Sequence, residues 1–404
     1  MIVQLLFARQ NLRGALKTAT RGARCLSLGI RLADPTSLDK ALKLAEPLAL
    51  ASGVNAVLAT RIEGLVIYQF ELNPGMWEYY TRQDVIGLAI GLADQRRPVE
   101  FALDPPHALI AGTTGSGKSE TLKSILVALV QNHGVSDLGL VLIDPHRELD
   151  DFNNEAHLIM PIAHNAEEIK NAFAWANQEL AHRKAGNVRD GQTIVIAIDE
   201  ATADEVLADG ANLEIAKSIS SQARKYRMHV ILATQKPAHS DLPGILDKLL
   251  NRWIGQLSDA RTSATVTGHA GLQAHKLTPK GDFLHIAGPD VQRFQVAMAT
   301  RQDFDRLERA EIKSITPLRV QSLNSDFYPL PAVLPSPDIG RPPIELDPEL
   351  LAFYFFHHPD KITHRMADEI LGLKRTGHVL HRDFCNSFIE AYLKLRKEGQ
   401  RLGA

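Results

Sequence analysis

Apolar and polar positions change rhythm along this chain. From Arg24 to Leu32 the apolar density is that of a strand, Thr36 to Ala51 has helical spacing behind a polar cap, and Asn55–Thr60 and Leu65–Leu72 return to strand character. Turn chemistry at Glu63-Gly64 and Asn73-Pro74-Gly75 separates them, which predicts a small α/β domain over residues 1–100. From Pro106 to about residue 300, short apolar strands (His107–Ala111, Leu138–Ile143, Thr193–Ile198, His229–Ala233) alternate with helical stretches. That alternation predicts a parallel sheet with helices on both faces, over residues 101–328. Seven prolines between Pro329 and Pro348 exclude regular structure and predict a linker over 329–348. Residues 349–404 are helical in pattern, with Asp347–His358, Thr363–Leu371 and a longer stretch from about Thr376 to Lys397.

Composition narrows this little: 404 residues, 45% hydrophobic and 23% charged, are ordinary for a multidomain globular protein. Two cysteines, Cys25 and Cys385, lie far apart without metal or redox spacing and suit a reducing compartment. No run reaches the roughly 18 uninterrupted apolar residues of a spanning helix, and no secretory signal precedes the first domain. The expectation is a cytoplasmic protein without membrane insertion. Charge adds one feature. The net value is −2, so the whole chain is no polycation, yet the first 33 residues carry six basic groups and no acidic one. That start is read as a solvated helix leading into the first strand.

The strongest chemical signal is Gly112-Thr113-Thr114-Gly115-Ser116-Gly117-Lys118-Ser119, a complete G-x-x-x-x-G-K-S after an apolar strand and before a helix. Glycines let the backbone curl so that a row of N–H groups at a helix N-terminus faces polyphosphate. With Glu120, these residues form the expected ATP-binding run, in which Lys118 reaches the β- and γ-phosphates and the Ser119 hydroxyl is a ligand for Mg²⁺. The second signal is Thr193-Ile-Val-Ile-Ala-Ile-Asp199-Glu200, a strand delivering two carboxylates beside such a loop. Asp199 is expected to hold the Mg²⁺ shell and Glu200 to polarise the attacking water, which implies hydrolysis as well as binding. Third, Val230-Ile-Leu-Ala-Thr234-Gln235-Lys236-Pro237 places Gln235 at another strand end, where it could sense the γ-phosphate or orient water.

Together, HALIAGTTGSGKS, the strand ending Ile143-Asp144-Pro145, the Asp-Glu pair, ATQKP and Gly281-Asp282-Phe283-Leu284 resemble the motor domain of the FtsK/SpoIIIE/HerA DNA translocase family, over about residues 100–300. The resemblance implies a RecA-like P-loop NTPase, a homo-oligomeric and typically hexameric ring, and double-stranded DNA as partner. It also implies an arginine supplied by the neighbouring subunit, and Asn251-Arg252-Trp253-Ile254 matches that segment, so Arg252 is the expected finger. Arg261 matches a second family arginine near the nucleotide or a pore loop, and Arg293 is a further pore-loop candidate for DNA. His146 and Lys236 depart from the family pattern.

The tail has the cadence of a helix-turn-helix, and the family can carry a C-terminal winged-helix DNA reader. Lys374 and Arg375 are the DNA-contact candidates there. The alternative for the tail is an assembly module. For the whole chain the alternatives to a DNA translocase are a genome-packaging or conjugative pump and an ATP-switched DNA clamp or scaffold.

Overall fold

The computed structural model describes residues 2–311 apart from 63, 105–106, 187–190, 205, 208–209, 269–271 and 289, and the statements below concern those residues. The expected linker at 329–348 and the tail at 349–404, with Lys374 and Arg375, lie outside them. Met1–Leu318 form one compact unit.

The chain begins with α1 (Ile2–Arg9), β1 (Gly14–Arg21), β2 (Cys25–Leu32), α2 (Leu38–Leu42), α3 (Ala45–Ser52), β3 (Val57–Ile62) and β4 (Leu65–Glu71). The strands make an antiparallel sheet in the order β1-β2-β4-β3, and Phe7, Ile30, Leu48, Val57 and Tyr68 pack together on its helix-covered side. Two expectations are corrected here. The helix expected over Thr36–Ala51 is two helices, because the Pro47 ring would collide with the carbonyl of Lys43, where the break falls. The basic start is not one helix into β2, since it contains β1, whose residues are nearly all exposed. A strand held by backbone pairing and a few polar side-chain contacts leaves no apolar alternation in sequence.

Next come β5 (Tyr80–Thr81), β6 (Ala89–Ala93), β7 (Pro98–Glu100), β8 (Ala108–Ala111), α4 (Lys118–Asn132), β9 (Leu138–Ile143), α5 (Ala166–Ala185), β10 (Thr193–Ile198), α6 (Gly210–Gln222) and β11 (Met228–Thr234). β12 (Asn251–Ile254), α7 (Ala260–Thr267), β13 (Asp282–Ala287), β14 (Asp290–Met298) and α8 (Arg301–Asp305) complete the described chain. The large sheet runs β7-β6-β14-β13-β12-β8-β11-β10-β9, with β5 beside β14. β12, β8, β11, β10 and β9 are mutually parallel, whereas β13, β14, β6 and β7 extend that core antiparallel. Residues 80–100, grouped with the first domain by their sequence pattern, therefore pair with the large sheet; strand character does not specify which sheet a strand joins.

The parallel strands are buried on both faces, as their continuous apolar runs require. Ile194, Ile196 and Ile198 pack into the cluster under α5 and α6, while Val195 and Ala197 pack into the one under α4. In α5 the Asn165 side chain accepts a hydrogen bond from the Glu168 N–H at 3.0 Å, and acidic residues start the helix while basic ones end it. The result is an α/β P-loop fold in which the C-terminal ends of β8, β10 and β11 meet.

Candidate nucleotide site

β8 ends at Ala111 and the loop Gly112–Gly117 turns the chain into α4. The loop is anchored at its start: the Gly112 N–H donates to the Thr234 carbonyl (3.3 Å), and the Thr113 N–H and hydroxyl both donate to the Gln256 carbonyl (2.8 and 3.1 Å). Gly117, immediately before α4, has φ +103°, and a side chain there would also come 2.9 Å from the Gly281 nitrogen. Glycine is required on both counts.

Four side chains converge at the start of α4. The Lys118 ammonium is 2.5 Å from Asp199 Oδ1 and 3.2 Å from Glu200 Oε2, all three groups being buried. Ser119 Oγ donates to Asp199 Oδ2 at 3.0 Å. A hydroxyl and a carboxylate side by side are hard oxygen donors that fit Mg²⁺. Glu200 has φ +50°, a left-handed conformation that costs free energy in a non-glycine residue and marks a site held by its surroundings. Its Oε1 accepts from the Thr202 hydroxyl at 3.0 Å and from the Gln235 N–H at 3.3 Å. Burial pushes the Glu200 carboxyl up, but Lys118, the Gln235 N–H and Thr202 outweigh it and hold the group below the usual glutamate value. It is therefore an anion at neutral pH, able to accept a hydrogen bond or a proton from water. Gln235 reaches the loop itself, its Oε1 accepting from the Thr114 hydroxyl at 2.7 Å. A phosphate seated on this loop would compete with the two carboxylates for Lys118.

The loop lines a cleft of about 620 Å³ whose walls also include Glu120, Tyr79, Tyr80, Gln295, Met298, His146 and Glu148. The structure thus brings together Gly112–Glu120, Asp199, Glu200 and Gln235. The remaining candidates are placed otherwise. Arg252 lies within β12 opposite Leu109, and its guanidinium donates to the carbonyls of Leu249 (2.9 Å), Val266 (2.8 Å) and Leu246 (3.3 Å). This corrects its reading as a finger, which needs a guanidinium free to project into a neighbouring subunit. Arg293 is corrected as a pore-loop DNA contact: the register of β13 and β14 puts it diagonally across from Asp282 on one face, where it forms a buried two-pronged pair at 2.9 and 2.7 Å. Arg261 is exposed in the first turn of α7.

Sequence reasoning assigned no role to Lys280. Its N–H and that of Gly281 donate to the carbonyls of Gly115 (3.1 Å) and Ser116 (2.7 Å), so the turn before β13 props the loop from outside. Gly281-Asp282 ahead of an apolar strand was the available signal.

Residues 76–249 match the FtsK/SpoIIIE family. A DNA translocase FtsK of Leptospira interrogans is 30% identical over 233 residues, covering 50% of this chain and 24% of that protein. The DNA translocase SftA of Bacillus subtilis is 30% identical over 255 residues, covering 57% of this chain and 26% of that protein. The chain thus spans about a quarter of the length of these curated relatives. Among solved structures, the cytoplasmic domain of the Thermomonospora curvata Type VII secretion ATPase EccC has a TM-score of 0.47 at 24% identity, over 52% of this chain and 28% of that one. The pCW3 conjugation coupling protein TcpA with ATPγS has a TM-score of 0.47 at 18% identity, over 73% of this chain and 94% of that one. Among the described residues no helix is long and apolar enough to cross a membrane. The phosphate loop, the carboxylate pair and the Thr-Gln strand end all fall inside the matched segment, so residues 76–249 carry a P-loop domain similar to the FtsK/SpoIIIE family.

Proposed function

We propose that this chain is a Mg²⁺-dependent ATPase that moves double-stranded DNA through a homo-oligomeric, hexameric ring in the cytoplasm. The observation that carries the reading is the convergence of Lys118, Ser119, Asp199 and Glu200 at the start of α4. The N–H groups of the phosphate loop would hold the β- and γ-phosphates, with the positive end of α4 behind them. Ser119 and Asp199 would hold Mg²⁺, which when bound neutralises phosphate charge. Glu200, kept anionic and oriented by Thr202 and the Gln235 N–H, draws a proton from the attacking water, while Gln235, bonded to Thr114, ties the end of β11 to the loop. The names of the relatives favour DNA as the substrate. Ring ATPases complete each site with an arginine from the next subunit. Arg261, exposed just past the end of β12, replaces Arg252 in that role.

The test is ATP turnover with and without duplex DNA, together with displacement of a triplex-forming strand. Wild type should be stimulated by duplex and displace the strand, while Glu200→Gln should bind ATP yet turn over at least about 100-fold more slowly. Near-normal turnover in Glu200→Gln would remove its role. Duplex binding with ATP turnover but without displacement would replace the motor by a clamp.

A further inference from the structure

Arg24 sits in the turn between β1 and β2, only 2% exposed, and reaches out of the N-terminal sheet into the large one. Its Nε donates to Gln295 Oε1 at 2.5 Å, Nη1 to Thr278 Oγ1 at 3.0 Å and to the Pro279 carbonyl at 2.7 Å, and Nη2 to the Lys280 carbonyl at 2.6 Å. The guanidinium also lies over the rings of Trp77 and Tyr79, 4.6 and 5.0 Å from their centres. Three of these acceptors belong to the turn that props the phosphate loop.

That turn is under constraint. Lys280 has φ +65° and Gly281 φ +91°, two consecutive left-handed residues, the first of which is not a glycine. Such a conformation persists where contacts over-determine it, and Arg24 takes the carbonyls on both sides of the Lys280 nitrogen. On the far side, Lys280 and Gly281 donate to Gly115 and Ser116, and loop and turn approach so closely that a Cβ on Gly117 would come 2.9 Å from the Gly281 nitrogen. Movement of the turn would therefore move the loop. Tyr79, held under the guanidinium, is also a wall of the nucleotide cleft. Arg24 thus touches the support of the phosphates and a wall of the same cleft without lining the cleft itself.

We propose that Arg24 is a positioning residue for the phosphate loop, through which the N-terminal sheet sets the affinity of the site for nucleoside triphosphate; this rests on the nucleotide-binding reading above. A planar fork with donors in several directions is needed to hold Gln295, Thr278, Pro279 and Lys280 together, and a lysine ammonium cannot span them.

The experiment measures dissociation constants for a fluorescent ATP analogue with Mg²⁺, steady-state turnover and melting temperature, on the full chain. Arg24→Lys and Arg24→Ala should weaken binding about tenfold while turnover at saturating ATP stays within about threefold. Tyr68→Phe removes a buried hydrogen bond to the Ala41 carbonyl in the same N-terminal layer, away from the cleft, and should lower the melting temperature without changing nucleotide affinity. Binding by Arg24→Lys within twofold of wild type overturns the proposal, as does equal weakening in Tyr68→Phe. Should the Arg24 variants not fold, Thr278→Val and Gln295→Leu each remove one acceptor and should weaken binding about two- to threefold, and unchanged affinity in both is the overturning result. Failure of the wild type to bind the analogue would defeat the nucleotide reading itself, a different outcome from equal binding by wild type and variant.

Discussion

The parallel core and the antiparallel flank of the large sheet use charge in opposite ways. At the C-terminal ends of β8, β10 and β11, Lys118, Asp199 and Glu200 meet at the edge of a cleft, where a ligand can exchange for either of the two contacts of Lys118. In the flank, Arg293, Asp282 and Arg24 are buried, Arg293 pairing with Asp282 and Arg24 donating to Gln295, Thr278 and the carbonyls of Pro279 and Lys280. Burial pushes the Asp282 carboxyl up, but the Arg293 fork overcomes it and holds the group below its ordinary value. Arg24, by contrast, is lowered by burial, its four acceptors being neutral. The two regions teach that an ion pair beside a cleft serves exchange, whereas one closed off by packing serves placement.

The sharpest way to break this contrast is Lys118→Ala. Turnover should fall about 100- to 1,000-fold, as for loss of one preorganised group that faces developing charge, with a smaller change in resistance to urea than any flank variant shows. Comparable turnover in this variant would mean that the cleft-edge cluster is structural. Asp282→Asn is the mirror test. It leaves the buried Arg293 guanidinium without its anion and should cost about 3–5 kcal/mol in urea unfolding. A loss under about 1 kcal/mol would show that the flank does not depend on the pair.

A smaller effect should separate the regions by pH. His107 and His229 in the core and His285 in the flank are each pushed down to about 4 by burial. All three stay neutral in the folded chain while the unfolded chain takes up protons near pH 6.5, so the unfolded state binds more protons between those values. Stability should be complete above about pH 6.5 and fall towards pH 4, by about 1.4 kcal/mol per pH unit for each histidine. His285 stacks on Trp253 at 3.9 Å and bonds Asn251 Oδ1, so His285→Gln should remove one such share from the slope. An unchanged slope would assign the acid sensitivity to the core pair.

Much of the core and its site was legible because its determinants are local. Strand ends at Leu138–Ile143 and Thr193–Ile198 follow from uninterrupted apolar runs, and Gly112–Ser119 writes the phosphate loop into consecutive residues. Asp199 and Glu200 were readable as a pair because a strand end fixes their position relative to the loop. The flank was not legible in this way. Arg252, Arg261 and Arg293 look alike in sequence, each a lone arginine near a strand or turn, yet one binds three carbonyls, one is exposed and one closes on a buried aspartate.

By itself the sequence determined that this chain has a parallel α/β core, a phosphate loop and a carboxylate pair, since backbone periodicity and glycine spacing are properties of neighbouring residues. Only the tertiary structure decided which sheet residues 80–100 join, that the phosphate loop is propped by Lys280 and Gly281, and that Arg24 holds that prop across 254 to 256 residues of chain. The reason is physical. A guanidinium is directed by whichever carbonyls and carboxylates surround it once the sheets have packed, and that arrangement is absent from any window of sequence short enough to read.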